Sequence, residues 1–419
     1  MNKELIKQIL VDQRNNVFVK KNQITRDRYT DVIDKLHLPH VHVLTGLRRS
    51  GKSTLMKQII QDHFGKGDFF YINFEDERFI DFPVQQFYLL HESLIELYGD
   101  QAIFFLDEVQ NIPGFETFIR RLTDEGKKFV ITGSNANLLS SEIATKLTGR
   151  HINTFISPFT FNEFLRYKKV VLTPTSFYDT TSKLKIVKLF DEYLIHGGMP
   201  EYTLFREPEI VTRTYEDIVL KDIVVRYKIE NNISLRELYR FIVSNVGQLF
   251  SYNSLTKTSM YASTISVQNY VSYLENTYFI KTISKYDYSV KKQHISEKKA
   301  YVIDNGFIRY ISMKFSPNNG WLLENLVFNT LNQQGNVFYY KNKKECDFIL
   351  EINNQLTEAV QVCFSLNEEN KVRECEGLLA AMQGFSIPKG YIITNSQEET
   401  IEYKGQQIEL VPAWKWILR

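Results

Sequence analysis

The residues with the clearest chemical spacing are Gly46-Leu47-Arg48-Arg49-Ser50-Gly51-Lys52-Ser53, which satisfy the pattern G-x-x-x-x-G-K-S/T at every fixed position. Two glycines let backbone N–H groups close around phosphate oxygens, and the N-terminus of a following helix adds partial positive charge. Lys52 would then face the β- and γ-phosphates and Ser53 would ligate Mg²⁺, with Gly46, Arg48, Arg49, Ser50, Gly51 and Thr54 completing the cradle. Downstream, the apolar run Ala102–Leu106 ends in Asp107-Glu108. That pair supplies a Mg²⁺ ligand, Asp107, and a general base for an attacking water, Glu108. A third apolar run, 129–133, ends in Ser134-Asn135. Asn135, or Ser134 in its stead, could orient the water; a plain Ser-Asn turn is the competing reading. Asn73, closing the run 69–74, could hold Glu108 back until a ligand binds. Arg150, expected on the same sheet edge, fits an arginine finger acting in cis or across a subunit interface, or equally a structural salt bridge. The chemistry these groups share is Mg-dependent binding and hydrolysis of ATP.

Such a site needs a parallel sheet to bring strand ends together. Between residues 41 and 158 apolar runs at 41–45, 69–74, 102–106, 129–133 and 152–156 alternate with amphipathic stretches, the pattern of an α/β sheet covered on both faces. Residues 3–20 read as an amphipathic helix with Leu5, Ile6, Ile9 and Leu10 on one face. Residues 160–230 read as helical, broken at Gly197-Gly198-Met199-Pro200, and Phe-Ser-Pro-Asn-Asn-Gly at 315–320 reads as a linker.

Whole-chain composition narrows the class without naming it. The 419 residues, 43% hydrophobic and 24% charged, suffice for several packed domains and exclude a disordered tail or a disulfide-stapled miniprotein. A net charge of +2 says nothing of nucleic acid, so any basic surface must be local. Three cysteines, Cys346, Cys363 and Cys375, form neither a zinc spacing nor a disulfide framework. With no apolar signal core near Met1 and no run long enough to span a bilayer, a cytoplasmic protein is expected.

Several motifs in order resemble one family. The Gly-x-Arg-Arg-x-Gly-Lys-Ser loop, Leu-Asp-Glu-Val-Gln-Asn-Ile-Pro at 106–113, Thr-Gly-Ser-Asn at 132–135 and Gly149-Arg150 match it. So do Pro-Phe-Thr-Phe-Asn-Glu-Phe at 158–164 and Gly197-Gly198-Met199-Pro200. Together they resemble prokaryotic AAA-type P-loop ATPases that carry a C-terminal domain of unknown function resembling PD-(D/E)xK nucleases. The resemblance implies an additional-strand P-loop core, a winged helix and an endonuclease-like C-terminal domain. Gly198-Met199-Pro200 also resembles a motif with which related signalling ATPases carry nucleotide state from core to winged helix; a loop turn is the alternative. The expected organisation is an N-terminal helix (1–20), ATPase core (21–158), helical linker (159–232), winged helix (233–315) and endonuclease-like domain (316–419).

In 233–315, Leu235, Leu238, Phe241 and Ile242 form one helical stripe and Val267, Tyr270, Val271 and Leu274 another, leaving Ser266, Gln268, Asn269, Ser272 and Tyr273 outward. Strands 278–284 and 299–304 would form a wing with Lys291, Lys292 and His294 at its tip. Eleven basic against five acidic residues make phosphate contact plausible, although the outward helix has no Lys or Arg. From Trp321 the expected order is helix 321–333, strands 336–340, 346–351 and 357–363, helix 367–382 and strand 389–394, the αβββαβ core of restriction nucleases. Those enzymes hold Mg²⁺ with an acid, an Asp and a Glu-x-Lys. Glu324 and Asp347 resemble the first two, but the third reads Gln361-Val362-Cys363, a neutral carbonyl and a thiol where a carboxylate and an ammonium belong. Nine basic against thirteen acidic residues in 316–419 also make a poor surface for a backbone. A domain without nuclease activity is expected, unless a displaced Lys341 or Lys344 supplies the ammonium.

The leading reading is an ATP-hydrolysing switch that engages DNA or a protein partner through its winged-helix and C-terminal domains, with homo-oligomerisation open and no membrane involved. The alternatives are an ATP-gated nuclease, or a non-hydrolysing ATP-bound regulator of a defence or toxin–antitoxin type system.

Overall fold

The structure is a computed structural model that describes residues 1–19, 23–65, 67–135, 149–230, 232–258, 263–314 and 318–419. The five apolar runs pair as parallel strands β1 (Val41–Thr45), β2 (Phe70–Asn73), β3 (Ile103–Asp107), β4 (Lys128–Gly133) and β5 (His151–Phe155). Their order is β2-β3-β4-β1-β5. Every residue of β1 and β3 is buried, as a parallel sheet covered on both faces requires. Ile131 of β4 lies opposite both Val43 of β1 and Leu106 of β3, so β4 runs between them. This places the ends of β1, β3 and β4 side by side at the carboxyl edge, where open α/β sheets take ligands.

The strand alternation sorts the core. Val43, Phe104, Leu106 and Ile131 pack on one face with α1 (Lys3–Val17), α4 (Phe87–Tyr98) and α5 (Phe115–Asp124). Leu44, Phe105 and Val130 pack on the other with α2 (Tyr29–Ile33) and α3 (Lys52–His63). In α1 the expected face shifts: Ile6, Ile9 and Leu10 are buried but Leu5 is 37% exposed. Buried Gln13 joins them instead, its Nε2 donating to the Asn73 carbonyl at 2.9 Å. An apolar count could not anticipate that, because the partner is a strand-end carbonyl.

The chain divides into two compact units, Met1–Pro158 with Asn276–Tyr278, and Phe159–Glu275 with Phe279–Arg419. Near the start of the second, the Thr160 side chain caps the helix Phe161–Tyr167 in a reciprocal box with Glu163. The Gly197-Gly198 break follows the helix Thr180–His196. A Cβ on Gly197 would stand 2.0 Å from Asp304 Oδ1, and one on Gly198 would stand 2.1 Å from the Phe159 carbonyl oxygen. The glycines are therefore dictated by close approach, and the Gly198 N–H donates to Asp304 Oδ2 at 2.6 Å.

Helices Asn232–Ser244, Tyr252–Thr258 and Thr264–Asn276 accompany a small sheet of order β6-β8-β7, with β6 at Leu249–Phe250, β7 at Ile280–Ser284 and β8 at Lys298–Val302. Val267, Val271 and Leu274 are buried as expected. Tyr273 is not outward: its ring stacks on Tyr227 at 3.7 Å. Between β7 and β8 lies a short helix, Val290–Ile295, in place of a bare wing tip.

The last segment forms a six-stranded mixed sheet of order β13-β14-β12-β11-β10-β9. Its strands are β9 (Asn336–Lys341), β10 (Glu345–Ile352), β11 (Gln355–Val362), β12 (Lys389–Thr394), β13 (Glu399–Tyr403) and β14 (Gln406–Pro412), with helices Asn319–Leu331 and Lys371–Phe385. Strands β13 and β14 and the closing helix Ala413–Ile417 extend the expected αβββαβ order. Asn325 joins this segment to β8. Its Oδ1 accepts from the Val302 N–H and its Nδ2 donates to the Val302 carbonyl, each at 2.8 Å. All three cysteines are buried thiols. No helix among the described residues is long and apolar enough to cross a membrane.

Candidate nucleotide site and a second carboxylate cluster

The loop after β1 owes its shape to its glycines. Gly46 and Gly51 have φ of +146° and +100°, and a Cβ on Gly46 would stand 2.2 Å from the Ile156 carbonyl oxygen. Lys52 opens α3 and donates to the carbonyls of Gly46 at 3.1 Å and Leu47 at 3.0 Å. Arg26 braces the loop from outside the motif, donating to the Ser50 carbonyl at 2.8 Å and the Ser157 carbonyl at 2.6 Å. Arg48 reaches Glu75 at 3.1 Å, and Arg49 adopts φ 63°.

The carboxylates arrive from β3. Asp107 Oδ1 accepts from Ser53 Oγ at 2.9 Å and from Thr132 Oγ1 at 2.6 Å, and Oδ2 accepts from Tyr71 at 3.3 Å. Burial and the neighbouring Glu108 raise the Asp107 pKa, while the Thr132 and Ser53 hydroxyls work against that rise. The Glu108 N–H donates to Thr132 Oγ1 at 2.8 Å, so one hydroxyl positions both carboxylates. Glu108 sits in the left-handed region at φ 50°, a conformation that costs about 1 kcal/mol or more and survives only where neighbours impose it. Its Oε1 stands 3.9 Å from Lys52 Nζ.

The donor set fits Mg-ATP. Ser53 Oγ and Asp107 Oδ1 already share a hydrogen bond at the place where both would ligate one cation. The buried Ser50 Oγ has no partner among the described residues, inside a cradle that admits no Cβ at Gly46. Thr54 lies in the first turn of α3.

Two expectations about this site are corrected. Asn73 does not restrain Glu108, because its Oδ1 accepts the Glu75 N–H at 2.9 Å. Gln110 takes that place, its Nε2 donating to Glu108 Oε2 and lying 3.5 Å from Ser134 Oγ. Arg150 is not on the phosphate edge. The Val41 N–H at the start of β1 bonds the Arg150 carbonyl, so Arg150 stands at the opposite, amino edge, and its exposed guanidinium pairs with Asp124 at 2.6 Å. That is the salt-bridge reading, and the role in cis is excluded by position. Asn135 is buried just past β4; the residues between it and Gly149 lie outside the described residues.

The second cluster lies where Glu324, Asp347 and Gln361 were expected to converge, and they do. Gln361 Oε1 accepts the Asp347 N–H at 3.2 Å and its Nε2 donates to Glu374 at 2.6 Å. The ammonium present is neither Lys341, near Glu297, nor Lys344, paired with Glu376. It is Lys299 of β8, 2.9 Å from Glu345, 3.5 Å from Asp347 and 3.7 Å from Glu324. Cys363 follows β11, and burial and the nearby Glu374 push its thiol up to about 12. Lys299 was missed because no local spacing ties it to residues so far along the chain. Thr132 and Gln110 were within reach, since both belong to quoted motifs.

Of the candidate nucleic-acid contacts, Gln268 and Asn269 are exposed on their helix, and Lys291 and Lys292 are exposed on the helix between β7 and β8. Lys299, counted in the local basic excess, contributes no surface charge because it is buried among carboxylates.

Residues 39–165 match the family described as AAA domain, and residues 187–318 match a domain of unknown function (DUF8612). The second match therefore falls on the helical linker and small sheet, not on the C-terminal sheet where the resemblance placed it. An uncharacterized protein of Methanocaldococcus jannaschii is 35% identical over 99% of this chain and 96% of its own. An uncharacterized protein of Haemophilus influenzae is 31% identical over 96% of this chain and all of its own. The Aeropyrum pernix ORC1 protein, solved in complex with DNA, aligns with a TM-score of 0.36 at 13% identity over 72% of this chain and 94% of that one, too loose a likeness to transfer any property. The chain belongs to the family of these two uncharacterized full-length relatives and carries its AAA domain at residues 39–165.

Proposed function

We propose that the protein is a Mg-dependent ATPase acting as a molecular switch. The observation that carries this reading is the Ser53–Asp107–Thr132–Glu108 chain of hydrogen bonds, which ties the phosphate loop to both carboxylates. Lys52 would exchange its two loop carbonyls for β- and γ-phosphate oxygens, and Ser53 and Asp107 would hold Mg²⁺, which would supply charge neutralisation at the phosphates. Glu108 takes the proton of the attacking water, Gln110 sets its orientation, and Asn135 lies at the end of the intervening strand to position the water. Turnover of ATP by the full chain tests this. Glu108→Gln should bind ATP without hydrolysing it, and normal turnover by that variant removes Glu108 from the role.

In this reading the segment 233–315 is a winged helix that engages DNA or a protein partner, and ATP turnover measured with and without duplex DNA over a salt range separates the two. The six-stranded sheet has a restriction-nuclease-like fold without nuclease activity. Cleavage of plasmid, single strands or RNA in Mg²⁺ or Mn²⁺ that disappears in Asp347→Ala would overturn that part.

A further inference from the structure

Lys299 lies on β8, the middle strand of the small sheet, yet its ammonium is directed into carboxylates from other elements. Glu324 comes from the helix Asn319–Leu331, and Glu345 and Asp347 come from β10. Two of these acids have further donors. Tyr301, two residues along β8, donates its hydroxyl to Glu324 Oε1 at 2.6 Å, and the Val362 N–H donates to Asp347 Oδ2 at 2.9 Å. Burial opposes an ammonium here, but Glu324, Asp347 and Glu345 outweigh it and raise the Lys299 pKa, so the lysine is charged. The spacings of 2.9–3.7 Å suit an ammonium. A divalent ion would draw oxygens in to about 2.0–2.6 Å; spread around the ammonium the acids are too far apart for that, and among the described residues no three His, Cys, Asp or Glu side chains are grouped to hold a metal ion, so one could bind only after Lys299 has left and the acids have closed in.

We propose that Lys299 is the resident cation of this cluster: its ammonium fills the position a divalent metal could otherwise take, fastens β8 to the C-terminal sheet, and keeps the carboxylates closed to metal ions. A tethered ammonium is present at every ion concentration, so a free metal ion can enter only if β8 moves away. The reverse also holds. Without Lys299, buried Asp347 and the half-buried Glu324 and Glu345 stand together with no cation, an uncompensated charge that destabilises the fold and that an added metal ion can relieve.

The test uses the full chain without nucleotide. Mn²⁺ uptake is followed by the loss of the free-ion EPR signal, and thermal unfolding is recorded with and without millimolar Mn²⁺. Wild type and Asp347→Asn should take up Mn²⁺ equally and show no Mn²⁺-dependent difference in Tm. Lys299→Met, which keeps the side-chain volume, should lower Tm by about 5 °C or more. It should also take up additional Mn²⁺ that is lost in Lys299→Met/Asp347→Asn, and Mn²⁺ should recover part of the Tm. Asp347-dependent uptake by wild type overturns the proposal, as does a Lys299→Met protein that takes up no more Mn²⁺ than wild type. Should Lys299→Met fail to fold, Lys299→Met/Asp347→Asn and Lys299→Met/Glu324→Gln decide. Recovered folding supports a lysine that balances those carboxylates, and no recovery overturns it.

Discussion

Lys52 and Lys299 are both 3% exposed, and both have a carboxylate oxygen within 4 Å, yet they are held in opposite ways. Lys52 donates to two neutral carbonyls of a loop shaped by glycines, and its nearest acid, Glu108, is 3.9 Å away. Lys299 sits among three acids, the nearest at 2.9 Å. A hydrogen bond from an ammonium to a neutral carbonyl is worth about 1.5–3 kcal/mol net, and a phosphate would offer charged oxygens in exchange. Removing one partner of a buried ion pair costs about 3–5 kcal/mol, so nothing arriving from solvent readily displaces Lys299. The same residue type thus faces neutral carbonyls in one place and paired acids in another, and the identity of its acceptors decides how firmly it is held.

The largest expected effect lies on the exchangeable side. Lys52→Ala should abolish ATP binding or turnover, and Glu108→Gln should lower kcat by about 10²–10⁴-fold while ATP still binds; a filter-binding assay beside a phosphate-release assay checks both. Stability sharpens the contrast next. Lys52→Met should leave Tm within about 2 °C of wild type, whereas Lys299→Met should lower it by about 5 °C or more; equal shifts would break the distinction.

Buried Asp304 shows what a carboxylate does when, among the described residues, no lysine pairs with it. Asp304 is 5% exposed and accepts N–H groups from Gly198 and Gly306. Burial raises its pKa to about 7, against the opposing pull of those two bonds. Between its ordinary value of 3.8 and about 7 the unfolded chain is ionised while the folded protein keeps the proton. Asp304 therefore lowers stability as pH rises through that window, and its contribution is flat above it. Asp304→Asn should gain on wild type by a few kcal/mol, on the order of the linkage expected for such a shift, between pH 4 and pH 8 in urea unfolding. A constant offset across that range would mean that Asp304 does not titrate there. The smallest effect concerns exposed lysines. Neutralising Lys291 and Lys292 should flatten the slope of log K against log salt for DNA binding by about 2, and an unchanged slope places no phosphate at either side chain.

Much of the geometry of the candidate nucleotide site was legible because its parts are short, local and chemically fixed. The loop 46–53, Asp107 and Glu108 each follow an apolar strand, and a parallel sheet leaves little freedom in where strand ends meet. What failed was information that depends on direction or distance. Arg150 was placed on the wrong edge because it precedes β5 rather than following a strand. Asn73 lost its expected role because its amide turns back to the Glu75 N–H. Strands β13 and β14 were missed because exposed polar residues, Thr400 and Glu402 in β13 and Gln406 and Gln407 in β14, leave only short apolar patterning. Lys299 reads as one more basic residue of a wing until the fold brings Glu345 and Asp347 beside it.

The pairing of Asn325 with both polar backbone groups of Val302 bears on how this chain can be divided by gene rearrangement. The Pro-Asn-Asn-Gly stretch near 317–320 looks like a seam at which a C-terminal sheet could be exchanged as a cassette. A fragment ending at Lys314 would keep Lys299 without its three acids, Val302 without the amide that satisfies it, and Tyr301 without the Phe328 ring stacked on it at 4.3 Å. A foreign sheet joined there would have to bring an acid at each of the three positions and an amide at the fourth. The heritable module thus begins upstream of the seam, at β8, and lineages that trade the sheet should trade residues 298–305 along with it.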